Sequence, residues 1–104
     1  MEFRMTSFRR KSITHLGTLH GEGTLLGQEG RQLGQVIYEI DGYVDHGTKS
    51  ANGQIEADTR ILDQGFRAEH ASIVLTNGRC IQVDVSDPQG GRTAEVQVRG
   101  GFPL

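Results

Sequence analysis

The chain has 104 residues, 35% of them hydrophobic, with 15 glycines, one cysteine (Cys80) and a formal net charge of −2. This length allows one modest hydrophobic core, and a glycine content of about twice the ordinary share favours a small, turn-rich β protein over a helical one. The single cysteine excludes an intrachain disulfide, and no apolar run approaches the ~18 residues of a membrane-spanning helix, so we expect a soluble, cytoplasmic protein.

The N-terminal residues differ in charge from the rest of the chain. Residues 1–15 show neither strand-like alternation nor a helical stripe, and we predict a flexible basic arm there. Residues 1–11 carry four basic side chains and one acidic side chain, a net +3 that leaves −5 for the other residues. Arg9, Arg10 and Lys11 are the candidate contacts for nucleic acid or another anion. The acidic remainder argues against nucleic-acid binding by the domain itself, because such binding needs clustered basic groups.

Alternating apolar and polar residues predict a single all-β domain over residues 16–104. We expect about six mostly antiparallel strands, at residues 17–26, 31–44, 54–61, 70–76, 79–86 and 92–99. One face of each strand is apolar, which suits a small barrel or a strongly curled sheet. A two-sheet β-sandwich stays the alternative, because alternation with a period of two does not distinguish these architectures.

Three segments outside the predicted strands carry weaker signals. Residues 45–53 are polar and contain glycine, which predicts a loop. Residues 62–69 fit a single helical turn or a bulged link, because Gly65 makes a longer helix costly by about 1 kcal/mol relative to alanine. We expect residues 100–104 to form a flexible end, with Phe102 able to plug an open end of a barrel.

The strongest local signal is Asn77-Gly78 between two alternating apolar runs. This pair is typical of a two-residue type I′ hairpin turn, because both of its central residues need positive φ. Such a turn pairs Val74 with Ile81 and places both on the buried face. A second turn, rich in Asp, Pro and Gly, extends the hairpin into a three-stranded meander.

Candidate ligand-binding residues are few. Asp41 and His46 lie near the polar segment 45–53, and the hairpin register places His70 at the rim of the apolar face. A carboxylate beside a histidine is able to orient it as a general base. However, no nucleophile motif or metal-ligand spacing accompanies these residues. We therefore predict no catalytic residue, no metal and no cofactor, and we treat Asp41, His46 and His70 as candidates for a ligand pocket.

Three functions stay open on the sequence alone. The preferred interpretation is a non-enzymatic small β-barrel that binds a protein partner, or a second copy of itself, through a strand edge such as 92–99. The alternative is small-molecule binding or weak catalysis in a pocket at the barrel mouth. The second alternative is a single-stranded nucleic-acid contact through the basic arm.

Overall fold

The computed structural model describes residues 13–103, so residues 1–12 of the predicted arm lie outside the described residues. Within the described range, six antiparallel strands close into a barrel in the order β1-β2-β3-β6-β5-β4. The strands are β1 (Ile13–Leu26), β2 (Gln32–Asp45), β3 (Thr48–Glu56), β4 (Ala71–Val74), β5 (Cys80–Val85) and β6 (Thr93–Arg99). Helix α1 (Thr59–Arg67) joins β3 to β4. The predicted all-β fold is confirmed, and it is a barrel rather than a sandwich.

The core fills the barrel because apolar residues alternate with polar ones along the strands and point inward. The largest side chains with almost no solvent exposure are Leu25, Val36, Ile40, Ile55, Leu62, Ile73 and Val83. Burying a side chain of this kind stabilises a fold by about 1.5–3 kcal/mol relative to leaving it exposed. No charged side chain is buried between residues 13 and 103, so apolar packing holds this core together.

Helix α1 closes one end of the barrel. Its first turn is capped by Asp58, whose Oδ1 accepts the backbone N–H of Arg60 at 2.9 Å. Leu62 is fully buried, and the bare Cα of Gly65 lets the helix approach the side chain of Leu25 closely. No helix in the described part of the chain has the length and apolar composition needed to cross a membrane.

The predicted third strand, 54–61, is wrong at both ends. The chain reverses at His46 and Gly47, which both have positive φ (52° and 82°), so β3 begins at Thr48 inside the predicted loop 45–53. At its other end the strand stops at Glu56, because the helix that follows buries Leu62. The prediction of a single helical turn or a bulged link at 62–69 is therefore wrong. It depended on the cost of about 1 kcal/mol for glycine in a helix, and packing of the helix on the core outweighs that cost.

The β4–β5 turn differs from the predicted one by a single residue. The loop has three residues, 76–78, and only Gly78 has positive φ, at 87°. The two strands therefore pair Ile73 with Ile81, where a two-residue turn pairs Val74 with Ile81. Because side chains alternate along a strand, this shift turns Ile73 into the core and Val74 outward.

Strand β6 is paired on both sides. Its Ala94 lies opposite Ile55 of β3, and its Val98 lies opposite Val83 of β5. The sequence-based expectation that 92–99 offers a free edge is therefore wrong, because barrel closure uses that edge.

The seam between β1 and β4, which closes the barrel, is short. It has three residue pairs, the last of which joins Leu26 to Ser72. Tyr38, which is 3% exposed, supports the seam from inside: its hydroxyl oxygen accepts the N–H of Thr76 at 3.1 Å. The Thr76 hydroxyl donates to the carbonyl of Glu22 at 2.9 Å, so it accepts the Tyr38 O–H at 3.1 Å. This chain of hydrogen bonds ties the β4–β5 turn to β1.

We expect Tyr38→Phe to lower the free energy of unfolding by about 1–2 kcal/mol, because the Thr76 N–H loses its buried acceptor. Urea denaturation monitored by circular dichroism measures this loss. Tyr43→Phe is the matched control, because Tyr43 lies half-exposed on the outer face and no described hydrogen bond uses its hydroxyl. Equal stability of the two variants would contradict a sealing role for the Tyr38 hydroxyl.

Candidate polar cluster and free strand edge

The first three strands extend beyond the closed part of the barrel. Strand β1 pairs with β4 only from Thr24 onward, and β3 pairs with β6 only from Asn52 onward. Residues 13–18, 41–45 and 48–51 therefore form a three-stranded projection, which we call the ribbon. One side of β1 has no strand partner over residues 13–21 within the described structure. We call this stretch the free edge.

A polar cluster lies on the outer face of the ribbon. Thr18 pairs with Asp41 across the two strands, and its hydroxyl donates a short hydrogen bond to Asp41 Oδ1. His15 Nε2 lies 3.1 Å from the same oxygen. A β-bulge between His15 and Gly17 brings the imidazole within reach of Asp41, and the ring centroids of His15 and Tyr43 are 5.3 Å apart.

These contacts lower the pKa of Asp41 below the ordinary aspartate value. The Thr18 hydrogen bond is the largest cause, and the His15 hydrogen bond is the second. An ionised carboxylate only accepts hydrogen bonds, so Asp41 selects the His15 tautomer that carries a proton on Nε2. The cluster thereby fixes the orientation of His15 and ties β1 to β2.

The same geometry does not resemble a nucleophilic centre. The Thr18 proton points to Asp41, and the Thr18 hydroxyl is 3.5 Å from His15 Nε2. The His15 side chain is 51% exposed, and that of Asp41 is 35% exposed. Within the described structure, the hydrogen bonds of this exposed cluster join β1 to β2.

The other two sequence-predicted site residues have separate surroundings. His46 lies in the β2–β3 turn at the tip of the ribbon, and its Nδ1 is 2.7 Å from Asp45 Oδ1. His70 precedes β4, and its Nδ1 is 3.2 Å from Nη2 of Arg99. The Arg99 Nε lies 3.3 Å from Asp84 Oδ1, so His70 belongs to a polar group on the outer face of β4, β5 and β6.

The predicted candidates do not converge on one pocket. Asp45, next to His46, pairs with Ile13 at one end of β1, whereas His70 lies beyond the pairing of Leu26 with Ser72 at the other end. At ~3.3 Å per residue, the ends of β1 are roughly 40 Å apart along the strand. Ligand binding at the individual side chains stays a prediction.

Four grooves stand out on the described surface, with volumes of about 350–680 Å³, and none of them is lined by Asp41, His46 or His70. The largest of the four, at about 680 Å³, lies beside the free edge where β1 approaches the β4–β5 turn, and it extends from His20 to Thr76. Among residues 13–103, no three or more His, Cys, Asp or Glu side chains are grouped so as to hold a metal ion.

The outer face beside the free edge is acidic. Glu22 lies on β1, and Glu39 and Asp41 lie on β2 opposite His20 and Thr18. No ion pair joins Glu22 or Glu39 to another described residue. A partner that approaches β1 from this side therefore meets the carboxylates of Glu22 and Glu39, which no described cation neutralises.

These features define the protein as a small closed β-barrel with a projecting ribbon and a free strand edge next to an acidic face. No protein-family model, no curated protein and no solved structure matches the chain.

Two residues of the polar cluster escaped sequence-based reasoning. His15 fell inside the predicted arm, and Thr18 lay in the predicted strand 17–26 but was not singled out as a site residue. The available signal was the alternation of Thr18, His20 and Glu22, three polar positions separated by Leu19 and Gly21. Because glycine replaces an apolar residue at an inward position, that alternation looks incomplete.

We expect Thr18→Val to raise the pKa of Asp41, because it removes the hydrogen bond that lowers this pKa most. A carbon-detected NMR titration of the Asp41 carboxyl group measures the change. Thr24→Val is the matched control, since Thr24 lies on the same face of β1 and its hydroxyl contacts Gln35 instead. An unaltered Asp41 pKa in Thr18→Val would contradict the role given to Thr18.

The lowered pKa also sets a pH window for stability. The ionised Asp41 stabilises the fold fully above the unfolded-state pKa of about 3.9, and this contribution disappears as the pH falls through the lower folded-state pKa. Asp41→Asn should therefore be less stable than the wild type at neutral pH, and the difference should shrink below pH ~4. Urea denaturation across this range measures it, and a difference independent of pH would refute the linkage.

Proposed function

We propose that this protein is a non-enzymatic interaction module that binds an extended segment of a protein partner along the free edge of β1. The observation that carries the proposal is the missing strand neighbour of residues 13–21 within the described structure. The N–H and C=O groups along such an edge are able to form a new ladder with an added strand.

The free edge has few of the features that protect sheet edges from pairing. Residues 13–21 contain no lysine and no proline. The bulge between His15 and Gly17 interrupts the edge once, and regular pairing with β2 continues from Gly17. Ile13 and Leu16 are 54% and 38% exposed, so an added strand also covers apolar surface. Backbone hydrogen bonding and apolar contact therefore both favour an added strand at this edge.

The charge of the adjacent face favours a particular chemistry in the partner. Alternate side chains of an added strand lie next to Thr18 and His20 on the outer face, and the end of that strand lies near the side chain of Glu22. Glu22 has no ion pair with a described residue, and Glu39 and Asp41 follow one strand further on. Lysine or arginine at alternate positions therefore matches this surface, and we propose an extended segment of that pattern as the ligand.

The other predicted functions have less structural support. A shared pocket needs converging polar groups, and the three candidate residues lie apart. Arg9, Arg10 and Lys11 lie outside the described residues, so their contact with nucleic acid stays a prediction. The acidic face argues against nucleic acid on the barrel itself. A cytoplasmic location is part of the proposal, because an exposed lone cysteine, Cys80, suits a reducing compartment.

The test uses a ten-residue peptide that alternates threonine with lysine. We expect it to shift the amide resonances of residues 16–21 and to slow hydrogen exchange at about every second of these amides, because only the N–H groups that point away from β2 gain partners. A peptide with proline in place of threonine has the same charge but does not form a ladder, and it should leave the resonances unchanged. Protection of β6 amides instead of β1 amides would refute the assignment of the edge.

Glu22→Lys should weaken binding of the threonine–lysine peptide by about three- to tenfold, because it replaces attraction by repulsion at the edge. Isothermal titration at low salt measures this change. Glu95→Lys is the matched control, since it alters the net charge equally on the outer face of β6, two strands further from β1 than β2 is. Equal losses in the two variants would show non-specific charge attraction and overturn the proposed site.

A further inference from the structure

The segment that follows β6 returns across the end of the barrel opposite α1. Strand β2 shows both ends, because an added Cβ on Gly34 would meet Ile61 of α1, whereas an added Cβ on Gly42 would meet the ring of Phe102. Phe102 is half-buried and packs against the core. Each end of the barrel is thus covered by a side chain that rests on a glycine of β2.

The two covers differ in how they are attached. Ile61 lies on a hydrogen-bonded helix, whereas no backbone hydrogen bond joins residues 100–103 to another described residue. Gly100 has φ of 78°, and a Cβ on Gly101 would meet nothing within 4 Å. Two consecutive glycines in open space form a hinge, so the contacts of Phe102 and its neighbours hold this segment in place.

The surface on which the Phe102 ring lies, formed by Gly42, Gly17 and the side of Ile81, has room for a flat ring, and we call it the seat. Gly42 forms its floor and pairs with Gly17 of β1, so two neighbouring strands lack side chains there. A groove of about 350 Å³ separates residues 101–103 from Arg79, Cys80 and Ile81 of the β4–β5 hairpin. The flat glycine floor and the side wall at Ile81 accommodate a planar apolar group.

We propose that this seat is a binding site for an aromatic side chain and that Phe102 is its detachable occupant, which swings out on the Gly100-Gly101 hinge. Detachment leaves the barrel intact, because the core residues beneath the seat keep their strand pairing. Gly17 belongs both to the free edge and to the seat, but an added strand uses the unpaired backbone side of β1 whereas Phe102 lies on Gly42, so the two proposals are tested separately.

The chain offers a direct reporter of this motion. Cys80 is the only cysteine and the sequence contains no tryptophan, so a bimane on Cys80 is quenched on contact by the indole of a Phe102→Trp variant. We expect strong quenching in this labelled protein relative to labelled Phe102→Ala. Gly42→Ala, added to Phe102→Trp, should restore at least half of the lost fluorescence, because the new methyl group occupies the position of the ring.

The backbone at Gly42 lies outside the positive-φ region, so Gly42→Ala changes the seat without straining the strand. Thr93→Ala, at an exposed position at the opposite end of β6 from the seat, is the control and should leave quenching unchanged. The melting temperature of the Gly42→Ala protein should stay within a few degrees of its parent. Persistent quenching would overturn the proposal. Loss of quenching together with loss of the folded barrel would also overturn it, by showing that Phe102 is a fixed part of the core.

A second experiment tests whether the seat binds aromatic groups, by adding indole to a variant that lacks the Phe102 ring. Indole should raise the melting temperature of Phe102→Ala by more than it raises that of Phe66→Ala, a control that removes an exposed ring from α1. Shifts of equal size would exclude an aromatic-binding seat. Glu22→Lys, added to the labelled Phe102→Trp protein, should leave its quenching intact, which separates this result from the outcome at the free edge.

Discussion

The whole architecture depends on closure of the seam between β1 and β4. Three residue pairs are few for the joint that turns a curled sheet into a barrel, and the Tyr38 hydroxyl reinforces it from the core side. Tyr38 reaches Thr76 because β1 carries glycine where the hairpin turn crosses it. A Cβ on Gly23 would collide with the carbonyl oxygen of Val74. The close backbone approach at Gly23 and the hydrogen-bonded hydroxyl of Tyr38 thus together hold the β4–β5 turn against β1.

The shortness of that seam also explains the open part of the molecule. Strand β1 has 14 residues and its neighbour β4 has four, so most of β1 extends past its partner. The closed section contains the core and leaves few chemical groups for recognition. The ribbon and the seat of Phe102 both lie where the strands no longer match in length. Both proposed binding sites therefore lie where the strand lengths differ rather than in the barrel interior.

Sequence reasoning succeeded for strands in which apolar and polar side chains alternate completely. It failed where a glycine or a turn residue determines the register or the start of a strand. The runs around Val83 and Val96 show clean alternation, and both strands were predicted. The hairpin at Gly78 was located, but its register depends on how many loop residues adopt positive φ, which Asn-Gly does not determine. The start of β3 was missed because His46-Gly47 is an unusual type I′ pair, with histidine at a position that favours asparagine or glycine.

The candidate site was harder to predict than the fold. Asp41 was singled out for its neighbours in sequence, yet its hydrogen-bond partners come from a strand 23 or more residues earlier. His15 reaches it through a bulge, which no alternation pattern reveals.

The strand order divides the barrel into two halves. Strands β1-β2-β3 and strands β4-β5-β6 form two local meanders, which α1 connects and which pair with each other along two seams. Each half is built from strands that are neighbours in sequence, whereas both seams join strands that lie far apart along the chain, so barrel closure carries most of the loop-closure entropy cost of folding.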